Sequence, residues 1–129
     1  MTGTRMKLTI PGRLPGLNQM LKVPRGDRFR AARLKREAET KIAWCIKQQL
    51  PGVQIQDKVT LHYTWYEPNR RRDLDNIASA HKFVQDALVT SGVLQGDGWR
   101  HVAGFSDSFE VDKTYPRVEV EIDLGRYLP

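Results

Sequence analysis

From Lys58 to Tyr66 the chain alternates without a break. Val59, Leu61, Tyr63 and Trp65 fall on one side, and Lys58, Thr60, His62, Thr64 and Tyr66 on the other. A strict period of two in β-branched and aromatic residues marks a half-buried strand, which needs a cover for its apolar face. His62 falls on the outer side and reads as a sheet-surface residue. Pro68-Asn69 ends the run. It delivers the chain into Arg70-Arg71-Arg72-Asp73-Leu74-Asp75-Asn76, beyond which the periodicity becomes helical.

The remaining elements follow from the same patterns. Met6, Leu8 and Ile10 alternate with Lys7 and Thr9, a strand stopped by Pro11. Pro11 to Asn18 is turn-rich and reads as a structured loop, and Arg25 to Arg30 as a basic, mobile stretch. Leu34, Ala38, Ile42, Cys45 and Ile46 form one apolar stripe, so a helix is expected from about Ala31 to Leu50, ended by Pro51-Gly52. Cys45 sits on that stripe and reads as a small core residue. A second helix is expected from Asp75 to Ser91, with Ile77, His81, Val84 and Leu88 on its core face and Gly92 as its cap. His81 therefore reads as a packed, hydrogen-bonded histidine. Trp99 to Phe105 reads as a third strand, and Val118, Val120, Ile122 and Leu124 mark a fourth. Ser106 to Pro116 would join these two as a hairpin loop. The order strand, helix, strand, helix, strand, strand predicts an α+β fold: a single domain over 1–129, with two main helices packed on one mixed sheet.

Composition narrows the function classes. In 129 residues, 40% are hydrophobic and 28% charged, the balance of a globular chain with one core. No run of about 18 apolar residues exists, so no membrane partner is expected. The start of the chain leads into a strand and not into a signal-peptide core, and a cytoplasmic location follows as an expectation. One cysteine excludes an intramolecular disulfide and a cysteine-rich zinc site. The net charge of +6 favours a polyanionic partner. Between Lys22 and Lys41 stand eight cations (Lys22, Arg25, Arg28, Arg30, Arg33, Lys35, Arg36 and Lys41) against three anions. Arg70, Arg71 and Arg72 form a second cluster.

Asp73 and Asp75 stand where a strand gives way to a helix, a common place for catalytic groups. Two carboxylates at i and i+2 beside a basic run can hold Mg²⁺ against phosphate oxygens. Either can equally cap the helix. Both converge on one ion only if Asp73 is still extended or in the cap, because i and i+2 do not face each other on a helix. Lys82, seven residues after Asp75, returns to nearly the same helical face about 10 Å along the axis. It could stabilise charge on a phosphate, or simply pair with Asp86 at i+4. Asp97 lies between Gly96 and Gly98, where the backbone can approach a ligand or make a plain turn.

Taken together, Asp73-Leu74-Asp75-Asn76-Ile77, Lys82-Phe83-Val84-Gln85-Asp86-Ala87-Leu88, Ser91-Gly92-Val93 and Asp97-Gly98-Trp99 resemble the RusA family of Holliday junction resolvases. Leu14-Pro15-Gly16-Leu17-Asn18 resembles the family's N-terminal Pro-x-x-Asn loop, and Pro116 to Val120 its final strand. The segment between Asp75 and Lys82 is about one turn longer than in the best-known member. Gly96 stands where the family often has Asp or Asn.

The resemblance implies a homodimeric, Mg²⁺-dependent endodeoxyribonuclease of bacteria and phages that nicks four-way DNA junctions symmetrically, with Mn²⁺ an expected substitute and no small-molecule cofactor. It maps the three essential aspartates onto Asp73, Asp75 and Asp97, as metal ligands, and the essential lysine onto Lys82. Arg70, Arg71, Arg72, Arg28, Arg30, Arg33, Lys35, Asn18 and Asn76 are the expected DNA contacts. The rival expectations are a module that grips branched DNA without cutting it, and a nuclease acting on flaps or forks.

Overall fold

The computed structural model describes residues 5–22, 24 and 26–125. Along them run β1 (Arg5–Pro11), α1 (Leu17–Leu21), α2 (Arg28–Gln49), β2 (Val59–Glu67), α3 (Leu74–Ala78), α4 (His81–Thr90), β3 (Val102–Val111) and β4 (Arg117–Asp123). The four strands form one mixed sheet in the order β1-β4-β2-β3. β4 pairs antiparallel with both β1 and β2, and β3 runs parallel to β2. The chain is an α+β fold, as the order of elements predicted.

The alternation in β2 is realised residue by residue. Val59, Leu61, Tyr63, Trp65 and Glu67 are buried, and the residues between them are half-exposed. Leu8 and Ile10 of β1 and Val118, Val120 and Ile122 of β4 bury on the same side. Ala38, Ile42, Cys45 and Ile46 of α2 and Val84, Ala87 and Leu88 of α4 complete that core, so Cys45 is the packing residue expected. The other sheet face carries charge. Lys7 pairs with Glu119 at 2.9 Å, and Arg117 with Glu119 at 2.7 Å.

Three expectations about the elements are corrected. The long helix starts at Arg28, three residues early, because the Asp27 side chain caps it by accepting the N–H of Arg30 at 3.0 Å. Arg28 to Arg30 are therefore its first turn and not a mobile stretch; Arg25 lies outside the described residues.

The expected hairpin does not form. β3 continues through Ser106, Asp107 and Ser108 to Val111, leaving only residues 112–116 as the connection. β3 and β4 lie on opposite sides of β2 and do not pair with each other. The polar run looked like a loop because β3 is an edge strand whose side chains are mostly exposed or half-exposed. At its start, Trp99 and Arg100 stand in a turn where the Gly98 carbonyl accepts from His101 and Val102.

The second helix is broken into α3 and α4 at Ser79-Ala80. The Ser79 hydroxyl donates to the Asn76 carbonyl at 2.5 Å and accepts the Leu17 N–H at 2.8 Å. A serine bonded back to its own backbone competes with the helical ladder, and here an outside donor holds it there. The single helical face proposed to carry Asp75 to Lys82 is therefore interrupted. The break falls between Asp75 and Lys82.

Candidate active site

β2 delivers the chain to α3 through Arg70, Arg71 and Arg72. Asp73 occupies the N-cap position of α3 in extended backbone (φ −68°, ψ 151°), but its carboxylate makes no capping hydrogen bond. Its backbone carbonyl alone joins the helix, accepting from Ile77. The cap reading therefore fails for the side chain, and the extended geometry is the one that lets Asp73 and Asp75 converge. Asp75 lies in the first turn and accepts the Asn76 N–H at 2.9 Å. Both aspartates are exposed.

Lys82 and Asp97 are brought together from separate elements. The Lys82 ammonium lies 3.0 Å from Oδ1 of Asp86 and 3.8 Å from Oδ2 of Asp97. The Asp86 hydrogen bond raises the lysine above its ordinary pKa, helped by the charges of Asp86 and Asp97. The i+4 pairing and the contact with the third aspartate thus coexist. The His101 ring fills the space a side chain at position 96 would need: a Cβ on Gly96 would fall 2.8 Å from its Cδ2. That is the local reason for glycine beside Asp97.

Asn18 and Asn76 meet each other. The Asn18 N–H donates to Oδ1 of Asn76 at 2.8 Å, and the loop before it presses onto α3. A Cβ on Gly16 would lie 2.4 Å from Nη2 of Arg72 and 2.5 Å from Oδ1 of Asn76. So Asn76 and the backbone at Asn18 latch the loop to the helix that carries Asp75. Arg72 is largely covered. It ion-pairs with buried Glu67 at 3.5 Å, which Arg13 also engages at 2.8 Å. Burial pulls the Arg72 guanidinium below its ordinary pKa; Glu67 opposes this and Arg13 adds to it. Arg70 and Arg71 are exposed, as are Arg28, Arg30, Arg33 and Lys35 along α2.

His81 is the packed histidine expected. Its Nε2 lies 2.6 Å from Oδ1 of Asp107, and its ring packs between Tyr63 and Phe105. Asp107 also accepts from Nε1 of Trp65 at 2.7 Å. The contacts of Asp107, Ser79 and Gly16 carry no local sequence signal. Asp107 stands in a polar edge strand that reads as a loop, and Ser79 inside a pattern that reads as one helix. Gly16 reads as part of the turn-rich loop, with nothing to show its approach to Arg72 and Asn76.

The donors suit Mg²⁺ in kind. They are carboxylate oxygens, and the Asp73 side chain is unspent on capping. No group of three acidic or histidine side chains is gathered closely enough to hold an ion among the described residues. Mg²⁺ commonly uses one or two carboxylates and completes its shell with waters and substrate phosphate, so a preassembled trio is not required.

The model of the endodeoxyribonuclease RusA family matches residues 15–123. The match takes in the loop, both motif helices, Asp97 and the last strand, and the chain belongs to that family. It is thus an endodeoxyribonuclease by family, a hydrolase of phosphodiester bonds within DNA. No curated protein matches it.

Proposed function

We propose that this protein is a Mg²⁺-dependent resolvase that cuts four-way DNA junctions by paired symmetric nicks in recombination and repair. The observation that carries the reading is the uncapped Asp73 carboxylate at the head of α3, a position where an aspartate normally spends its oxygens on the helix. The Lys82–Asp97 contact supports it, since it joins two further motif residues across the chain.

Asp73, Asp75 and Asp97 would hold the ion. When bound, Mg²⁺ supplies Lewis-acid polarisation of the phosphodiester and a water of lowered pKa. The chain's own part is to orient and to balance charge. Asp73 and Asp75 present their oxygens from a helix start latched by Asn76 and Ser79. Lys82 offers an ammonium for the charge that builds on the phosphate, and the product keeps its 5′-phosphate. Arg70, Arg71 and the exposed cations of α2 attract the DNA backbone, with steep salt dependence. The working form is a homodimer, because two equivalent sites about a two-fold axis match a nearly two-fold junction. Its setting is the cytoplasm of a bacterial or phage-infected cell, where such DNA is found.

A labelled synthetic junction, incubated with and without Mg²⁺ beside a linear duplex, tests the reading. Symmetric nicks in the junction alone, dependent on Mg²⁺, are expected. A shifted but intact junction would point instead to a binding module, and preferential cleavage of flaps or forks to a different branched substrate.

A further inference from the structure

An open cavity of about 440 Å³ lies between the loop after β1 and α2. Three cations from three separate elements line it: Arg13, Lys41 and Arg72. A single carboxylate, the exposed Glu37, stands on its wall. Arg13 and Arg72 share one anion, Glu67, so two guanidinium charges meet one negative charge. Lys41 has no acidic partner among the described residues. Its hydrogen bond to the Arg13 carbonyl is long, at 3.4 Å.

Burial pulls the Lys41 ammonium below its ordinary pKa, with no carboxylate to offset it. A half-buried, unpaired ammonium is unfavourable unless something neutralises it. Gly12 helps to build the arrangement: its left-handed backbone (φ +82°) brings it so close that a Cβ there would lie 3.0 Å from the Lys41 Nζ. Cationic side chains converging on a cavity with one carboxylate form a receptor for an oxyanion. Guanidiniums suit the forked oxygens of a phosphate, and an ammonium adds a point charge.

We propose that this cavity is a phosphate subsite, in which Arg13, Lys41 and Arg72 hold a backbone phosphodiester of the DNA away from the scissile bond. The inference rests on the nuclease reading above. Arg72 lines both this cavity and the one containing Asp73, so the subsite ties the placement of an arm to the carboxylates through one side chain.

The test measures junction binding without divalent metal over a range of salt. Lys41→Met is expected to weaken binding about tenfold and to lower the slope of log affinity against log salt by about one. Its melting temperature should hold or rise, since the unpaired ammonium is gone, and Lys41→Arg should keep the slope. Glu37→Gln, an exposed change that leaves the fold alone, should tighten binding about threefold by removing the one repelling charge. Unchanged affinity and slope in Lys41→Met, or unchanged or weaker binding in Glu37→Gln, would overturn the subsite while leaving the nuclease reading intact. A wild-type chain that neither binds nor cuts the junction would overturn that reading itself.

Discussion

The Lys82 ammonium lies 3.8 Å from the Asp97 carboxylate, joining the N-terminal turn of α4 to the loop before β3. Asp86 lies closer, at 3.0 Å, and holds the lysine on that side of the helix. A cation fixed this way can stabilise phosphate charge in the transition state without contributing much to ground-state binding. Lys82→Met is expected to lower kcat by about 10²–10³-fold with little change in KM. Single-turnover cleavage of a junction checks this. An equal loss in KM alone would make Lys82 a DNA-binding residue.

Gly16 is where the N-terminal loop touches α3 most closely. In Gly16→Ala the new methyl would meet the Arg72 guanidinium at 2.4 Å and both the amide and carbonyl oxygens of Asn76. Backbone cannot yield as a flexible side chain can. A loss of about 1–3 kcal/mol is expected from urea unfolding. Cleavage should fall as well, because the same contact latches the helix that carries Asp75.

Asp107 accepts from both Trp65 and His81 on one carboxylate oxygen. Removing it leaves an indole N–H buried with no partner. Asp107→Ala is expected to destabilise by about 1–3 kcal/mol, seen as a lower midpoint in urea. Asp107→Asn keeps an acceptor and should recover part of that loss.

Acid stability has a contributor far from the site. Asp112 is held below the ordinary carboxylate range, first by the Tyr115 N–H and then by Arg117 and Thr114. A carboxylate with a depressed folded pKa stabilises the fold above its unfolded pKa. That contribution is lost as pH falls from there through the folded value. Asp112→Asn should therefore show a shallower fall in melting temperature below about pH 4. A slope identical to that of the unsubstituted chain would remove Asp112 from the account.

How much was legible in the sequence follows from which physical signal each feature carried. β2 and β4 were readable because one face is buried and the alternation is strict. The stripe of α2 was readable for the same reason, but its start was not, since Asp27 caps a turn that is basic and exposed. β3 hid because an edge strand with exposed side chains has no apolar period to show. The break at Ser79 depends on an N–H from Leu17, sixty-two residues away in sequence. No local pattern could reveal that. The motif residues were legible as types; the approach of Lys82 to Asp97 was not, because the two stand on separate elements. The contact that Asn76 makes inside the chain was not either: its side-chain oxygen receives the backbone N–H of Asn18, from a loop distant in sequence. The ion pair of Arg72 with Glu67 was equally hidden: a buried carboxylate at the end of β2 needs cations, and strand alternation alone does not say which.

Metal binding by the aspartates at the head of α3 is decided by comparing the wild-type chain with Asp75→Asn on a labelled four-way junction in Mg²⁺, with binding measured in parallel. Paired symmetric nicks are expected from the wild type, and no nicks from the variant despite nearly unchanged junction binding. Mg²⁺-dependent cleavage by Asp75→Asn at the wild-type rate would contradict that role for the aspartates.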